Sequence, residues 1–450
     1  MKKWSFKCLL LSLGLLFITS QEETKAAEVT QLYGLKDSAP IEEIIKTLEK
    51  KSLEYNFIEE IQMLSVEGDT SNHALDKYDS FIEWSGPEQV IEVETKTAMV
   101  PQAIKEKTAS LYDSWRWDIN RVTNNGASYG IEKGNHTVKV AVVDSGIDFN
   151  HPDLASNIVD PGKSFVPGIT TTQDYLGHGT MVAGIIAANG NLQGIAPNVG
   201  LVPYKVFHTD VADSMWIIEA IVEAAKDDMD VINLSLGTYK SLKNKEDQAV
   251  IKAYQRAAKF AISEGSIIIA SAGTDGYNMS NPKDLSEQLG EPNDVQIHLP
   301  GGGLSDVVTV SATNNLDQLA FYSNFGPQVN IAAPAGDYGE DYKTLGNIKL
   351  EAMTITTYPL NIPQSELSQY AGFEHGYEFM IGTSLAAPKV SAVAALIIAE
   401  YQEKYNKKPS VNQIKKYLYE GVSKVSAPRN EVGAGIVNAY GSLKAIKEEK

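Results

Sequence analysis

Gly382-Thr383-Ser384-Leu385-Ala386-Ala387-Pro388 is the stretch that decides how this chain reads. A serine follows a glycine by two residues, and Val390, Val393, Ala394 and Ile397 continue as one apolar helix face. Ser384 is therefore expected near a helix N-terminus, where unpaired backbone N–H groups favour negative charge. Pro388 is expected in the first turn, where no N–H is needed. Two upstream stretches are turned and glycine-flanked in the same way. Val142-Val143-Asp144-Ser145-Gly146-Ile147 ends an apolar run on a carboxylate, and Gly177-His178-Gly179-Thr180 sets an imidazole between glycines. Together they supply a hydroxyl, a base and a group to orient the base, which is the set a serine nucleophile requires. A serine that merely caps its helix is the plain alternative for Ser384, and the matching neighbours weigh against it.

Of the seven histidines, only His178 has small neighbours on both sides. His73, His136, His151, His208, His298 and His375 read as ordinary core or surface residues. Asp148 and Asp153 compete with Asp144, but Asp144 alone directly ends the apolar run. Outward from these motifs, the short apolar runs at 138–143, 201–207, 231–236, 267–272 and 307–310 predict strands. Ile217, Ile218, Ile221, Val222 and Ala225 form a helical stripe between two of them. Continuous apolar strands separated by helices predict a parallel α/β sheet covered on both faces, with functional residues at the strands' carboxyl ends.

Residues 28–110 have a different character. Ile41, Ile44, Ile45 and Leu48 have helical spacing, and Val90-Ile91-Glu92-Val93 reads as a strand. Residues 95–114 are polar and aperiodic, and read as a linker in which Lys96, Lys105 and Lys107 are candidate cut sites. The first arginine is Arg116, so cleavage within that linker does not follow an arginine. Met1-Lys2-Lys3 with an apolar run at 9–19 and Thr24-Lys25-Ala26-Ala27 reads as a secretory signal peptide over residues 1–27. The apolar run falls well short of the ~20 residues that span a bilayer. Cys8 is the single cysteine, so the processed protein is expected to lack disulfides. The chain has 450 residues, a hydrophobic fraction of 43% and a formal charge of -18. That charge argues against nucleic acid and suits a basic substrate, although simple solubility explains it equally well.

These motifs, with Val231-Ile232-Asn233-Leu234-Ser235-Leu236-Gly237 and Gly433-Ala434-Gly435-Ile436-Val437-Asn438-Ala439, resemble the subtilisin-like serine proteases from about Trp115 to Ala445. The order Asp, His, Ser is that of subtilisin. The layout is most similar to the lantibiotic leader peptidases of Gram-positive bacteria, the epidermin type. The resemblance implies a subtilisin-like three-layer domain with a mostly parallel central sheet over 111–450. It implies a small α+β pro-domain, with its processing linker, over 28–110. The implied catalytic residues are Asp144, His178 and Ser384.

The oxyanion hole would use the Ser384 backbone and Thr274, which stands where the family carries asparagine; Asn278 is a remote substitute. Substrate would pair with Ser235, Leu236 and Gly237 on one side and the stretch near Asp213 on the other. Gly273 and Asp275 would wall the pocket for the residue before the cut, and Asp275, with Asp294 near the floor, would attract an arginine. Solvated loop acids are the equal alternative. Leu385 replaces a common methionine and so removes an oxidisable sulfur. Lys389 replaces a frequent histidine, without expected chemical effect.

No cofactor is required. Calcium is optional: Asp153 matches a family ligand, but the loop 188–194 is short for a calcium loop. Extra segments at 239–247 and 336–377 either narrow the cleft, recognise a leader or are surface insertions. The implied protein is a secreted, extracellular, self-processing monomer without wall or membrane anchor. Its partners are its own pro-domain and the leader of a lantibiotic precursor. A broad secreted protease and a weakly active binding protein are the alternatives, the second resting on Thr274 alone.

Overall fold

The computed structural model describes residues 30–68, 74–92, 112 and 115–448. The expected signal peptide, Val93 and the candidate linker lysines fall outside the described residues. At the N-terminal end, β1 (Gln31–Leu35), α1 (Ile41–Lys50), β2 (Tyr55–Ile58), β3 (Met63–Val66) and β4 (Ile82–Pro87) build an antiparallel sheet in the order β2-β3-β1-β4. Strand alternation assigns its two faces. Tyr33, Leu35, Leu64 and Val66 share a cluster with Ile44 and Leu48 of α1. Leu32, Ile58, Met63 and Trp84 point the other way, into the core of the larger unit. β5 (Val90–Glu92) then leaves this sheet.

The larger unit is built on β6 (Lys139–Asp144), β7 (Lys163–Ser164), β8 (Gly200–Lys205), β10 (Val231–Leu234), β12 (Ile267–Ser271), β14 (Val308–Thr313) and β15 (Ile331–Pro334). They pair in parallel in the order β15-β14-β12-β10-β6-β8-β7. Successive strand residues go to opposite faces. Val140, Val142, Val231, Ile267 and Ile269 pack with α3 (His178–Ala187) and α6 (Thr383–Tyr405). Ala141, Val143, Ile232, Leu234 and Ile268 pack with α4 (Ser214–Lys226) and α5 (Lys245–Ser263). The strands are apolar throughout because both faces are covered, and the result is the expected three-layer α/β fold. α6 is long and apolar enough to span a membrane, but its apolar window is entirely buried, which makes it a core helix.

From β6 the chain moves outward to β8 and returns to β10 on the other side. Such a reversal opens a crevice at the carboxyl ends of the strands, where Asp144 ends β6. β15 went unread in the sequence because Ile331-Ala332-Ala333-Pro334 is short and poor in β-branched residues.

The N-terminal sheet rests on α4 and α5. Arg256 of α5 donates to the carbonyls of Ile61 (2.8 Å), Gln62 (3.0 Å) and Leu35 (3.2 Å) and pairs with Glu83 (2.6 Å). Lys226 of α4 pairs with Glu60 at 2.6 Å. β9 (Val211–Asp213) runs antiparallel to β5, with Val90 opposite Asp213 and Ile91 opposite Ala212. The exit strand of the N-terminal unit therefore lies on one of the edges expected to hold substrate.

Candidate active site

Asp144 and His178 meet in a buried pair. Both carboxylate oxygens lie 2.9 Å from His178 Nδ1, and both residues are almost fully enclosed. An imidazole donating from Nδ1 to a carboxylate carries its lone pair on Nε2, so the geometry sets the tautomer of a base. His178 is the first residue of α3, and Gly177 before it has φ +104. A Cβ on Gly177 would fall 2.4 Å from the ring of Tyr358. The glycine is thus needed for both its backbone conformation and its space.

Sequence reading missed the support under this pair. Asp174 is fully buried; one oxygen accepts from Ser145 Oγ, Leu176 N and Gly177 N at 2.9 Å each. The other accepts from Thr180 N (3.0 Å) and Thr180 Oγ1 (2.7 Å). Ser145 Oγ in turn accepts the Gly179 N–H at 2.8 Å. Lys205, at the end of β8, donates to the carbonyls of Ser145 and Gln173, and burial lowers its pKa while the Asp174 and Asp144 charges oppose the shift. A lysine in an otherwise apolar strand was the signal available.

The extra segment at 336–377 braces the same turn. β16 (Thr354–Thr357) pairs with β17 (Tyr377–Met380), and the hydroxyls of Thr356 and Thr357 donate to the carbonyls of Met181 and Thr180.

Ser384 is the second residue of α6 and fully buried. Among the described residues its Oγ makes no hydrogen bond. A Cβ on Gly382, whose φ is +149, would lie 3.0 Å from that oxygen. Pro388 is not in the first turn, as expected, but five residues into the helix that Thr383 opens. Proline has no N–H, so the carbonyl four residues back, that of Ser384, lacks its helical donor. Ser235 Oγ supplies one at 2.7 Å. Leu385 is buried, and Lys389 forms an enclosed ion pair with Asp118 of α2 (Trp117–Thr123) at 2.9 Å. Removing either partner alone would strand a buried charge at a cost of about 3–5 kcal/mol. Lys389 therefore ties the start of the larger unit to the Ser384 helix.

The other expected site residues fall into two groups. Thr274 sits beside the Ser384 turn: its Oγ1 is 2.9 Å from Thr383 Oγ1 and accepts the Thr383 N–H at 3.3 Å. Gly273 precedes it, and Asp275 is exposed beyond it, accepting from Tyr239 Oη at 2.7 Å. Tyr239 lies on β11 (Thr238–Ser241), which follows Ser235, Leu236 and Gly237, and its hydroxyl accepts from Asn324 Nδ2 at 2.8 Å. Asp213 lies on β9, opposite Val90.

Asn278 and Asp294 do not join the site. The Asn278 side chain accepts from Ser280 N and Oγ. Asp294 binds Ser241 Oγ and Val295 N, at the end of β11 away from Gly237, so it is no pocket floor.

Asp153 does not fit a calcium site. Its Oδ1 accepts from Asn191 N (3.0 Å) and Tyr377 Oη (3.0 Å), and its Oδ2 accepts from Leu192 N (2.8 Å). Calcium takes six to eight oxygens; here the carboxylate faces donors. A Cβ on Gly190 would fall 2.0 Å from Oδ1, so loop backbone fills the space beside it.

A three-layer sheet with Asp144 and His178 paired at the end of β6, and Ser384 in the first turn of α6, which packs against α3, accords with a serine protease, and this chain belongs to the subtilase family, whose profile matches residues 135–441. The chain is 34% identical over 376 residues to the epidermin leader peptide-processing serine protease of Staphylococcus epidermidis, covering 79% of each chain. It is 31% identical over 360 residues to the nisin leader peptide-processing serine protease of Lactococcus lactis, covering 72% of this chain and 50% of that one. The crystal structure of the epidermin leader peptide processing protease from Staphylococcus aureus superposes with a TM-score of 0.76 at 29% identity, over 94% of this chain and all of that one. Subtilases require no organic cofactor.

Proposed function

We propose that this protease is secreted as a self-processing zymogen and removes the leader from a lantibiotic precursor by cutting after arginine. The buried Asp144–His178 pair carries the reading; the leader-processing relatives supply the substrate class. Ser384 Oγ attacks the scissile carbonyl while His178 Nε2 takes its proton, and Asp144 stabilises the imidazolium. The tetrahedral oxyanion is held by the Ser384 N–H and Thr274. His178 then returns the proton to the leaving amine, and water releases the acid product from the acyl-enzyme. The Ser384–His178 hydrogen bond forms as substrate settles, as catalytic contacts commonly tighten only in the complex.

Substrate would run along β9 near Asp213 and along Ser235-Leu236-Gly237. Asp275, which accepts from the Tyr239 hydroxyl, would attract an arginine. Peptides ending in arginine, lysine or leucine before the cut, compared by kcat/KM, test this: arginine is expected to lead by at least about tenfold, and equal rates reject the specificity. Casein cleaved as fast as a lantibiotic precursor favours the broad secreted protease instead. The enzyme acts outside the cell as a monomer on a peptide substrate.

Residues 28–110 serve as the pro-domain. The pairing of β5 with β9 supports this, since the N-terminal unit then lies where substrate would. The linker holds no arginine, so self-cleavage there does not follow one, and Lys96, Lys105 and Lys107 are the candidate cut sites.

The interface is also proton-sensitive. Glu88 accepts the Met215 N–H at 3.0 Å near the start of α4; burial and the facing Asp213 and Glu219 push its pKa to about 8. Glu219, bonded by Asn56, is pushed to about 7 by burial and Glu223. The cations nearby, Lys163 and Lys226, are paired with Glu223, Asp227 and Glu60. Once the N-terminal unit leaves, both acids regain solvent and fall toward the ordinary value of ~4.3, Glu219 less far because Glu223 of its own helix stays beside it. Docking therefore takes up protons: it is favoured at low pH and weakens as pH rises through 7 to 8. After linker cleavage, the Kd of the N-terminal unit is expected to rise about tenfold or more between pH 6 and pH 9, with a smaller rise in Glu88→Gln. Tighter binding at pH 9 overturns the assignment.

A further inference from the structure

We propose that Asn233, Ser235 and Ser391 form a buried polar strut that positions the nucleophile by its main-chain carbonyl. The inference rests on the reading of Ser384 as nucleophile. Its origin is a deficit created by the sequence itself. Pro388 lies inside α6 and cannot donate to the carbonyl of Ser384. That carbonyl is buried with its residue, and a buried acceptor left unmet costs about 1–3 kcal/mol.

Ser235 Oγ meets it at 2.7 Å, across a separation of 149 residues. Ser235 in turn accepts from Asn233 Nδ2 at 2.9 Å, and Asn233 Oδ1 accepts from Ser391 Oγ at 2.8 Å. All of these residues are buried.

The strut begins and ends on α6, at Ser391 and Ser384, and passes through the end of β10. It fixes one side of the Ser384 residue, while the Leu385 N–H bonded to the Gly382 carbonyl at 3.0 Å closes the turn on the other. Ser384 Oγ has no hydrogen bond of its own among the described residues, so its place depends on where the backbone is held. A further consequence follows from the dual place of Ser235. Its backbone opens the edge Ser235-Leu236-Gly237, and the next carbonyl, that of Leu236, accepts from Ser271 Oγ at 3.3 Å. The edge expected to hold substrate and the residue expected to attack it are thus joined by one side chain. These three are positioning residues: they act through Ser384 and touch no reacting atom.

The test measures fluorophosphonate labelling of the purified full chain, which is independent of peptide specificity. Labelling that persists in Ser384→Ala removes the nucleophile reading itself. With that control satisfied, Ser235→Ala is expected to lower kinact about 10- to 100-fold, the range set by misplacing a reacting group, with KI changed less than about twofold.

Ser235→Ala with Pro388→Ala restores a helical N–H to the same carbonyl and is expected to recover most of that loss. A purely structural role for Ser235 predicts no such recovery. An unchanged kinact in Ser235→Ala, or no recovery in the double variant, overturns the proposal. Should Ser235→Ala fail to accumulate, Ser391→Ala at the far end of the strut is read instead. Lower kinact with a thermal midpoint within a few degrees of wild type supports the strut, and unchanged kinact refutes it.

Discussion

Replacing Ser384 by alanine is expected to leave the linker between the N-terminal unit and the larger unit uncut, and to reduce peptide hydrolysis by roughly a million-fold. The size of the effect follows from how the parts are coupled. The imidazole is already set by the Asp144 carboxylate, with Nδ1 2.9 Å from both oxygens, so its basic nitrogen serves only if an oxygen nucleophile stands before it. What remains after the change is binding and oxyanion stabilisation, a small residue of the total. Stability moves little, because Ser384 Oγ makes no hydrogen bond among the described residues and alanine fits the same helical turn. Gel analysis of the chain after secretion, beside a thermal melt, checks both halves. A variant that still loses its N-terminal unit in the absence of other proteases contradicts self-processing. One that still hydrolyses peptide contradicts Ser384 as nucleophile.

Much of the protein was legible because each motif lies where the backbone itself is constrained. Val140 to Val143 is apolar on both faces, and only a doubly covered strand accounts for that; Asp144 then marks the crevice. The helix stripe of Ile217, Ile218, Ile221 and Val222 appears as the buried side of α4. The boundaries of strands moved by one to three residues, as hydrogen bonding rather than apolarity ends a strand.

Illegible parts depended on distant partners. Asp174 carries no mark in the sequence; its role appears only in its partners, Ser145, Thr180 and the N–H groups of Leu176 and Gly177. Lys389 looked inert because its partner Asp118 lies 271 residues away in sequence (389 minus 118). Asp153 matched a calcium ligand by motif, yet Tyr377 from the extra segment reaches its carboxylate. Pro388 was placed by a rule for helix starts, and the helix simply begins earlier than that rule assumed.

Thr274→Val is expected to lower kcat by about 10²-fold with little change in KM, the loss typical of removing one oxyanion donor. Valine keeps the branched shape with a methyl in place of the hydroxyl, but it also takes the acceptor from the buried Thr383 N–H, so a thermal melt is read beside the kinetics. The hydroxyl lies at the Ser384 turn. It accepts the N–H of Thr383, the residue before the nucleophile, and lies 4.0 Å from the position a Gly382 Cβ would take, itself 3.0 Å from Ser384 Oγ. The oxygen that develops charge on the attacked carbonyl must form within this same turn. A threonine hydroxyl is shorter than an asparagine amide and hydrogen-bonds in a different direction, so it holds that charge less closely. Thr274→Asn is therefore expected to raise kcat above wild type, since the interaction strengthens only as the charge forms. The two changes bracket one question. If valine costs nothing, Thr274 is only a wall residue and the Ser384 N–H stabilises the oxyanion without it. If valine costs a hundredfold and asparagine gains, this chain runs subtilase chemistry with a weaker donor, and its slower turnover is written at position 274.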